Sequence, residues 1–292
     1  MKVILDFDNT FFTENRDIDD GLALLYLLGS PEVEIVAITG TYGNSTMEVV
    51  DANTHRLLTL LGRQDIPYYS GGQKAGDYQS AASEQLVKWV QRYPGEIQLL
   101  ATGSLTNLYG AQQQWPDFFQ AVKRTVVMGG KTAPLLFKKQ EMAELNFSCD
   151  PKASYQVLTQ SHDLLIMTGN YCLDLPFTRA HYQSHFGQYQ RHPIVQLIER
   201  YSDSWFTDNA ETYGIDGFYN WDTLAACALV HPEFFEMEAL ETTLSMEQLQ
   251  AGWLMPKTPD VSLGSLTLQL PVVAQPDALR THIYQTWLNV TF

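Results

Sequence analysis

Basic side chains are scarce in this sequence. Its 292 residues hold 18 Lys and Arg against 33 Asp and Glu, a formal net charge of −15, with a pI near 4.7. No Lys/Arg-rich run occurs, which speaks against nucleic acid and anionic membrane surfaces as partners. The acidity suits neutral or cationic ligands better than polyanions. Apolar runs of about 18 residues, the length a membrane helix needs, are missing too. Cysteine is rare: Cys149, Cys172 and Cys227 are odd in number and lack metal or redox spacing. With a strand-like pattern from Lys2 onward, no signal or transit peptide is expected. A reduced, cytoplasmic setting is therefore the expectation. Repeats, low-complexity tracts and linkers are also absent, so residues 1–292 read as one domain. A hydrophobic content of 45% with 17% charged residues is that of an ordinary globular chain.

What is present is an alternation of short apolar runs and amphipathic stretches, the pattern of βαβ units. Strands are expected at 2–7, 33–39, 97–101, 124–128 and 163–168. Helices are expected at 19–29, 46–62, 79–92, 104–114, 151–159, 193–208 and 222–230. Asp150 before Pro151 reads as an N-cap followed by proline at the first helical position. From about residue 236 the pattern turns to alternating segments, "LETTLSM" and "SLTLQLPVV", closed by a helix at 276–288. The expected fold class is α/β: a single domain with a mainly parallel, Rossmann-related sheet flanked by helices and a short antiparallel addition near the C-terminus.

Polar residues gather at the strand ends. Asp6 and Asp8 end the first strand, Thr41-Tyr42-Gly43-Asn44 follow the second, and Thr102-Gly103-Ser104 and Met128-Gly129-Gly130 end the next two. Glu144 and Asn146 lie in the following connection. Ligands of open parallel sheets bind outside the carboxyl ends of the strands, so these residues are expected on one rim. Asp6, Asp8, Asp19 and Asp20 would crowd negative charge there. A helix dipole offsets only about 0.3–1 kcal/mol for each acid in its first turn. A hard, oxygen-loving divalent cation, calcium or magnesium, would remove the conflict. The plainer alternative is that Asp19 and Asp20 cap a helix while Asp17 is solvated.

The ordered motifs resemble those of the calcium-dependent nucleoside hydrolases, the inosine–uridine-preferring family. The resemblance rests on the first strand with Asp6-x-Asp8, on Asp19-Asp20-Gly21-Leu22-Ala23-Leu24, and on "AITGTYGN" (37–44). It continues through "ATGSLTNL" (101–108), "VVMGG", "AELNFSCDPKAS" (143–154) and "WDTLAACALVHP" (221–232). Ten residues, Asn9 to Ile18, separate Asp8 from the Asp pair, where the family usually has three, and its Pro-Gly is absent. "NTFFTENRDI" is then a longer loop over the same cage, with a lid over bound ribose as one role for it.

Carried over residue by residue, the resemblance implies hydrolysis of a ribonucleoside to free base and ribose by a calcium-activated water. Asp8, Asp20 and Asp222 would ligate calcium through carboxylates and Thr102 through its carbonyl, with Asp6 supporting from behind. Asp8 would be the general base. Asp19, Asn44, Glu144, Asn146 and Asp222 would contact the ribose end of the nucleoside. Trp221 stands where many members have a leaving-group His; it resembles the purine-specific branch, in which an aromatic ring stacks on the base. Purine preference is the resulting expectation. A homodimer or homotetramer is implied by the family habit alone.

Two other readings compete. Asp6-Phe7-Asp8-Asn9-Thr10 matches the DxDxT of haloacid-dehalogenase-type phosphatases, with Asp6 as nucleophile, Asp8 as acid, Thr102 on phosphate and Lys123 or Lys131 as the cation. That reading lacks a later acidic pair for magnesium and leaves Asp19, Asp20, Asn44, Glu144 and Asp222 idle. The other is a nucleoside-binding relative that has lost turnover. For the remaining candidates the plain readings are preferred: Cys227 in the core, and His231 at a helix end.

Overall fold

A computed structural model describes residues 1–256 and 264–292. The first strand, β1 (Lys2–Phe7), alternates between two cores: Val3, Leu5 and Phe7 face one and Ile4 the other. Such two-sided apolar strands belong in the middle of a parallel sheet. Indeed β1 pairs in parallel with β2 (Glu34–Gly40) on one side and with β4 (Ile97–Ala101) on the other. The two-residue β3 (Tyr68–Tyr69) extends the sheet beyond β2, and β5 (Arg124–Met128) extends it beyond β4. Leu164–Met167 and Leu266–Val273 follow in parallel. Phe235–Thr242 then closes the edge antiparallel to Leu266–Val273. The expected C-terminal antiparallel addition is therefore an edge strand of the one eight-stranded sheet.

The sequence boundaries hold closely for β1, β4, β5 and the helices Asp19–Gly29 (α1) and Pro276–Leu288. Asp150 caps its helix as expected, accepting from the Ala153 N–H. Two expectations need correction, and two elements went unread. "LETTLSM" is not one strand: pairing stops at Thr242, and Ser245 with Gln248 forms a capping box that opens the short helix Met246–Leu249. The helix expected at 193–208 runs on to Thr212, ending where Gly214 takes a left-handed φ of 71°. A helix at Arg179–Phe186 and a small hairpin, Leu135–Leu136 with Glu141–Met142, went unread.

Helices cover both faces of the sheet. α1 is buried at every position but Leu28, which is why it is apolar all round rather than amphipathic. It packs between the Trp221–Val230 and Pro276–Leu288 helices. The Trp287 indole donates to the Leu22 carbonyl at 3.0 Å. Cys227 is fully buried there, and His231 ends its helix between Glu32 and Glu233, as the plain readings held. Among the described residues no helix is long and apolar enough to cross a membrane.

The chain winds outward from β1 to β2 and β3, returns, and continues through β4 and β5 on the opposite side. The strand order thus reverses between β1 and β4, where open α/β sheets leave a crevice for ligands. α1 and the Trp221–Val230 helix both begin at this end.

Candidate functional site

A cavity of about 380 Å³ opens at that crevice. Asp19, Asn44, Thr102, Met128, Glu144, Asn146, Trp221 and Asp222 are among the residues that line it. Residues spread from Asp19 to Asp222 along the chain thus meet on one rim, as the strand-end argument expects. Asp8 and Asp20 stand directly behind this lining. Asn44 holds Asp8 twice, through its backbone N–H to Oδ2 (2.6 Å) and its amide to Oδ1 (3.1 Å). The Thr102 hydroxyl donates to Asp20 Oδ1 at 2.8 Å. Gly43 and Asp8 approach so closely that a Cβ on residue 43 would overlap Asp8 Oδ2.

Asp19, Asp20 and Asp222 bring one carboxylate oxygen each within 4.8 Å of one another, a grouping able to hold a metal ion. Asp8 lies outside that grouping, although its carboxyl and that of Asp20 are within hydrogen-bond reach. Asp20 Oδ2 is buried with no hydrogen-bond partner among the described residues. A carboxylate oxygen normally finds a donor when buried, so an oxygen left free here fits a cation-facing ligand. The donor set is all oxygen, which fits a hard cation.

The electrostatics agree. Burial pushes Asp6 and Asp19 up to about 7 and holds Asp8 above its ordinary value. Asp20 and Asp222 are driven well above the carboxylate range, first by burial and then by the neighbouring acids, Asp8 for Asp20 and Asp19 for Asp222. Without a counter-charge the cluster retains protons.

Several side chains sit differently from the expected roles. Asn44 spends its amide on Asp8. Asn146 turns its NH₂ to the Thr102 and Met128 carbonyls, at 3.0 and 3.1 Å, leaving Oδ1 for a ligand. Both Glu144 oxygens accept backbone N–H groups, from Gly130 and Phe147 on one side and Ser148 on the other. Its carboxylate is therefore an anchor for the cavity wall. Asp6 faces away from the cavity, fully buried, with Oδ2 accepting from Thr39 (2.6 Å) and Asn107 (2.8 Å). Asp6 is not among the residues that line the cavity. Lys131, a cation that the phosphatase reading needed, is buried beside Glu141.

Asp17 is half-buried rather than freely solvated. It lines the cavity, where its Oδ1 accepts from the Ile18 and Asp19 N–H groups. It belongs to the 9–18 loop, whose first half is built into the protein. Phe11 is 1% exposed. Phe12 lies 4.8 Å from Tyr201 and under the Arg56 guanidinium (4.1 Å), and Asn53 accepts its N–H. A lid role is thereby confined to 14–17, of which Asn15, Arg16 and Asp17 line the cavity. Phe11 depends on a missing side chain: a Cβ on Gly21 would stand 2.6 Å from Phe11 Cγ. Gly21→Ala should therefore cost about 1–3 kcal/mol by overpacking. A denaturant midpoint unchanged from wild type would show that the loop base gives way.

Sequence reasoning also missed the hairpin residues Leu135 and Met142 and the helix residues Asp208 and Thr212, all on the cavity wall. The aromatic stretch 201–219 divides. Trp205 and Tyr213 line the cavity, Phe218 is core, and Tyr219 packs 5.1 Å from Trp221.

Residues 3–262 match the family described as inosine-uridine preferring nucleoside hydrolase. A probable uridine nucleosidase 2 of Oryza sativa is 28% identical over 265 residues, covering 80% of this chain and 75% of that one. The pyrimidine-specific ribonucleoside hydrolase RihA of Klebsiella pneumoniae is 29% identical over 247 residues, covering 74% and 78%. Among solved structures, the purine-preferring ribonucleoside hydrolase from Gardnerella vaginalis superposes with a TM-score of 0.83 at 22% identity, over 99% of both chains.

Proposed function

The chain belongs to the inosine–uridine preferring nucleoside hydrolase family, hydrolases of the ribonucleoside N-glycosidic bond, and from that premise we propose that it uses Asp8 as general base at a calcium site. Asp8, Asp20, Asp222 and the Thr102 carbonyl would hold the ion. The observation that carries this is the buried Asp20 Oδ2 without a partner among the described residues, set among acids whose hold on protons burial and mutual repulsion raise. Calcium held there would supply the missing positive charge and make a bound water more acidic.

The chain's own groups then divide the work. Asn44, with two bonds to Asp8, holds the carboxylate in the one orientation from which it accepts the proton of the attacking water. Asp19 has its Oδ2 held by the Asp222 N–H. Its other oxygen and Asn146 Oδ1 face the ribose hydroxyls. The carboxylates around the sugar stabilise the positive charge of an oxocarbenium-like transition state. Glu144 keeps the Gly130 and Phe147 backbone in place against the same sugar.

Trp221 adjoins Asp222 and so joins the ribose end to the base end. Stacking on an aromatic ring is worth about 1–3 kcal/mol per base, and a purine covers more of an indole than a pyrimidine does. The relatives' names point both ways, to uridine and pyrimidines and to purines, so purine preference rests on this chain's own residue. The test measures ribose release from inosine and uridine and phosphate release from p-nitrophenyl phosphate, with calcium and after chelation. Calcium-dependent ribose release, faster for inosine, is expected, and Trp221→Ala should lower inosine turnover about tenfold or more. Uridine turned over as fast as inosine would end the purine preference. Phosphate release with nucleosides untouched would end the hydrolase reading.

A further inference from the structure

Breaking an N-glycosidic bond leaves its electron pair on the departing base. Negative charge therefore builds on the base while positive charge builds on the sugar. The cavity offers little to meet that negative charge. Five carboxyls line it, those of Asp17, Asp19, Glu144, Asp208 and Asp222, and its lining holds neither histidine nor lysine. The Asn44 and Asn146 amides are already spent, on Asp8 and on two backbone carbonyls. Arg16 is the single cation of the lining. Its side chain is exposed, and it has no ion-pair partner among the described residues.

Arg16 belongs to the ten residues between Asp8 and Asp19. Its neighbour Asp17 does not hold it, because Asp17 turns Oδ1 to the Ile18 and Asp19 N–H groups. The Asp17 charge reaches Asp222 on one side and the Tyr213 phenol on the other. The loop tip thus stands across both ends of the cavity, the acids at one and the aromatic residues at the other. Under the hydrolase reading, on which this inference rests, the glycosidic bond lies where those two ends meet.

We propose that Arg16 is a catalytic residue for leaving-group departure, its guanidinium meeting the base as the bond to C1′ breaks. The electron pair of that bond stays on the base. The attacking water gives its hydroxide to C1′ and its proton to Asp8. Arginine does not surrender a proton at neutral pH. The base therefore leaves as an anion paired with Arg16, and it takes a proton from the solvent to which that side chain is open. Purines and pyrimidines both develop this charge, so the role is separate from any preference between them.

The experiment compares inosine with p-nitrophenyl β-D-ribofuranoside, whose nitrophenolate departs without help. Wild type, Arg16→Gln and Arg16→Lys are assayed with calcium. A fixed donor aimed at developing charge is worth about 10²–10³ in kcat. At this exposed position Arg16→Gln should cost inosine about tenfold to a hundredfold, equally in kcat and kcat/KM, as for an interaction made only in the transition state. The nitrophenyl riboside should lose less than about threefold. Arg16→Lys keeps the charge and should recover most of the inosine rate. Guanidinium ion should restore inosine hydrolysis to Arg16→Ala, and urea, its neutral counterpart, should not. A merely structural loop would slow both substrates by one factor, and that result would overturn the proposal. An unchanged inosine rate in Arg16→Gln would overturn it too. Nitrophenolate released by wild type with nucleosides untouched would keep the glycosidic chemistry and remove the role of Arg16. Release of neither product would sink the hydrolase reading and this role with it.

Discussion

Asp8→Asn should lose about a thousandfold in kcat while its calcium-free form becomes no less stable than wild type. The loss follows from the base role, since a positioned general base contributes roughly 10²–10⁴ and an amide cannot take the proton. The stability half follows from the surroundings. Asp8 is fully buried, held above its ordinary pKa by desolvation, and within reach of Asp20, whose own carboxyl its charge pushes up. Removing that charge relieves both groups. One contact is lost, because the new amide can accept the Asn44 backbone N–H but meets the Asn44 side-chain NH₂ donor to donor. A merely structural Asp8 would give the opposite pattern, falling stability with activity lost in proportion. Reducing-sugar release at saturating calcium, read beside a thermal melt in chelator, separates the two. A loss of less than tenfold would remove Asp8 as the base.

The acidic cluster was legible because its parts lie where general rules place them. Asp6 and Asp8 end an unmistakable strand, Asp19 and Asp20 begin an apolar helix, and strand ends of parallel sheets converge. The ordered motifs placed Thr102, Asn146 and Asp222 on the same rim, 120 residues apart between the first and last of these. What sequence could not supply was the direction of each side chain. Asn44 and Glu144 are polar residues beside the cavity in either reading. Only the packing decides that one spends its amide on Asp8 and the other both oxygens on backbone N–H groups.

The place of Asp17 was not legible for a related reason. An acid in a polar loop is solvated by default, and nothing in "NTFFTENRDI" announces that Phe11 and Phe12 bind the loop to Arg56 and Tyr201. The aromatic end of the cavity was the least legible. The signal for the long helix fades after 208, where Asn209, Ala210, Glu211 and Thr212 carry little apolar periodicity. The last turn, which holds Thr212 on the cavity wall, is set by tertiary contacts. Lys139, for example, donates to the Ala210 and Glu211 carbonyls at 2.8 and 2.6 Å and caps that turn from the hairpin.

The second large effect expected is a reversed pH dependence of stability. Carboxylates paired in a native state normally lose stability as pH falls. Here burial raises Asp6 and Asp19 to about 7 and Asp20 and Asp222 further, against about 3.9 in the unfolded chain. The native state therefore holds more protons than the unfolded one above about pH 4. Stability with calcium absent is fully present below that pH and is lost as pH rises through about 7. Calcium competes with those protons and should act in the opposite sense. At pH 8 and a concentration a hundredfold above Kd, its binding adds about 2.7 kcal/mol, or roughly 4–5 °C in Tm for a chain of this size. At pH 5 the protons already neutralise the cluster, and the shift should shrink toward zero. Thermal melts at pH 5, 6.5 and 8, in chelator and in calcium, measure both slopes. Asp20→Asn should raise the chelator melt at pH 8 and abolish the calcium shift, because it removes a strongly opposed charge and a proposed metal ligand together. A chelated wild type that gains stability from pH 5 to 8 would mean the buried acids are already balanced by contacts within the fold, and the cluster would lose its case as a metal site.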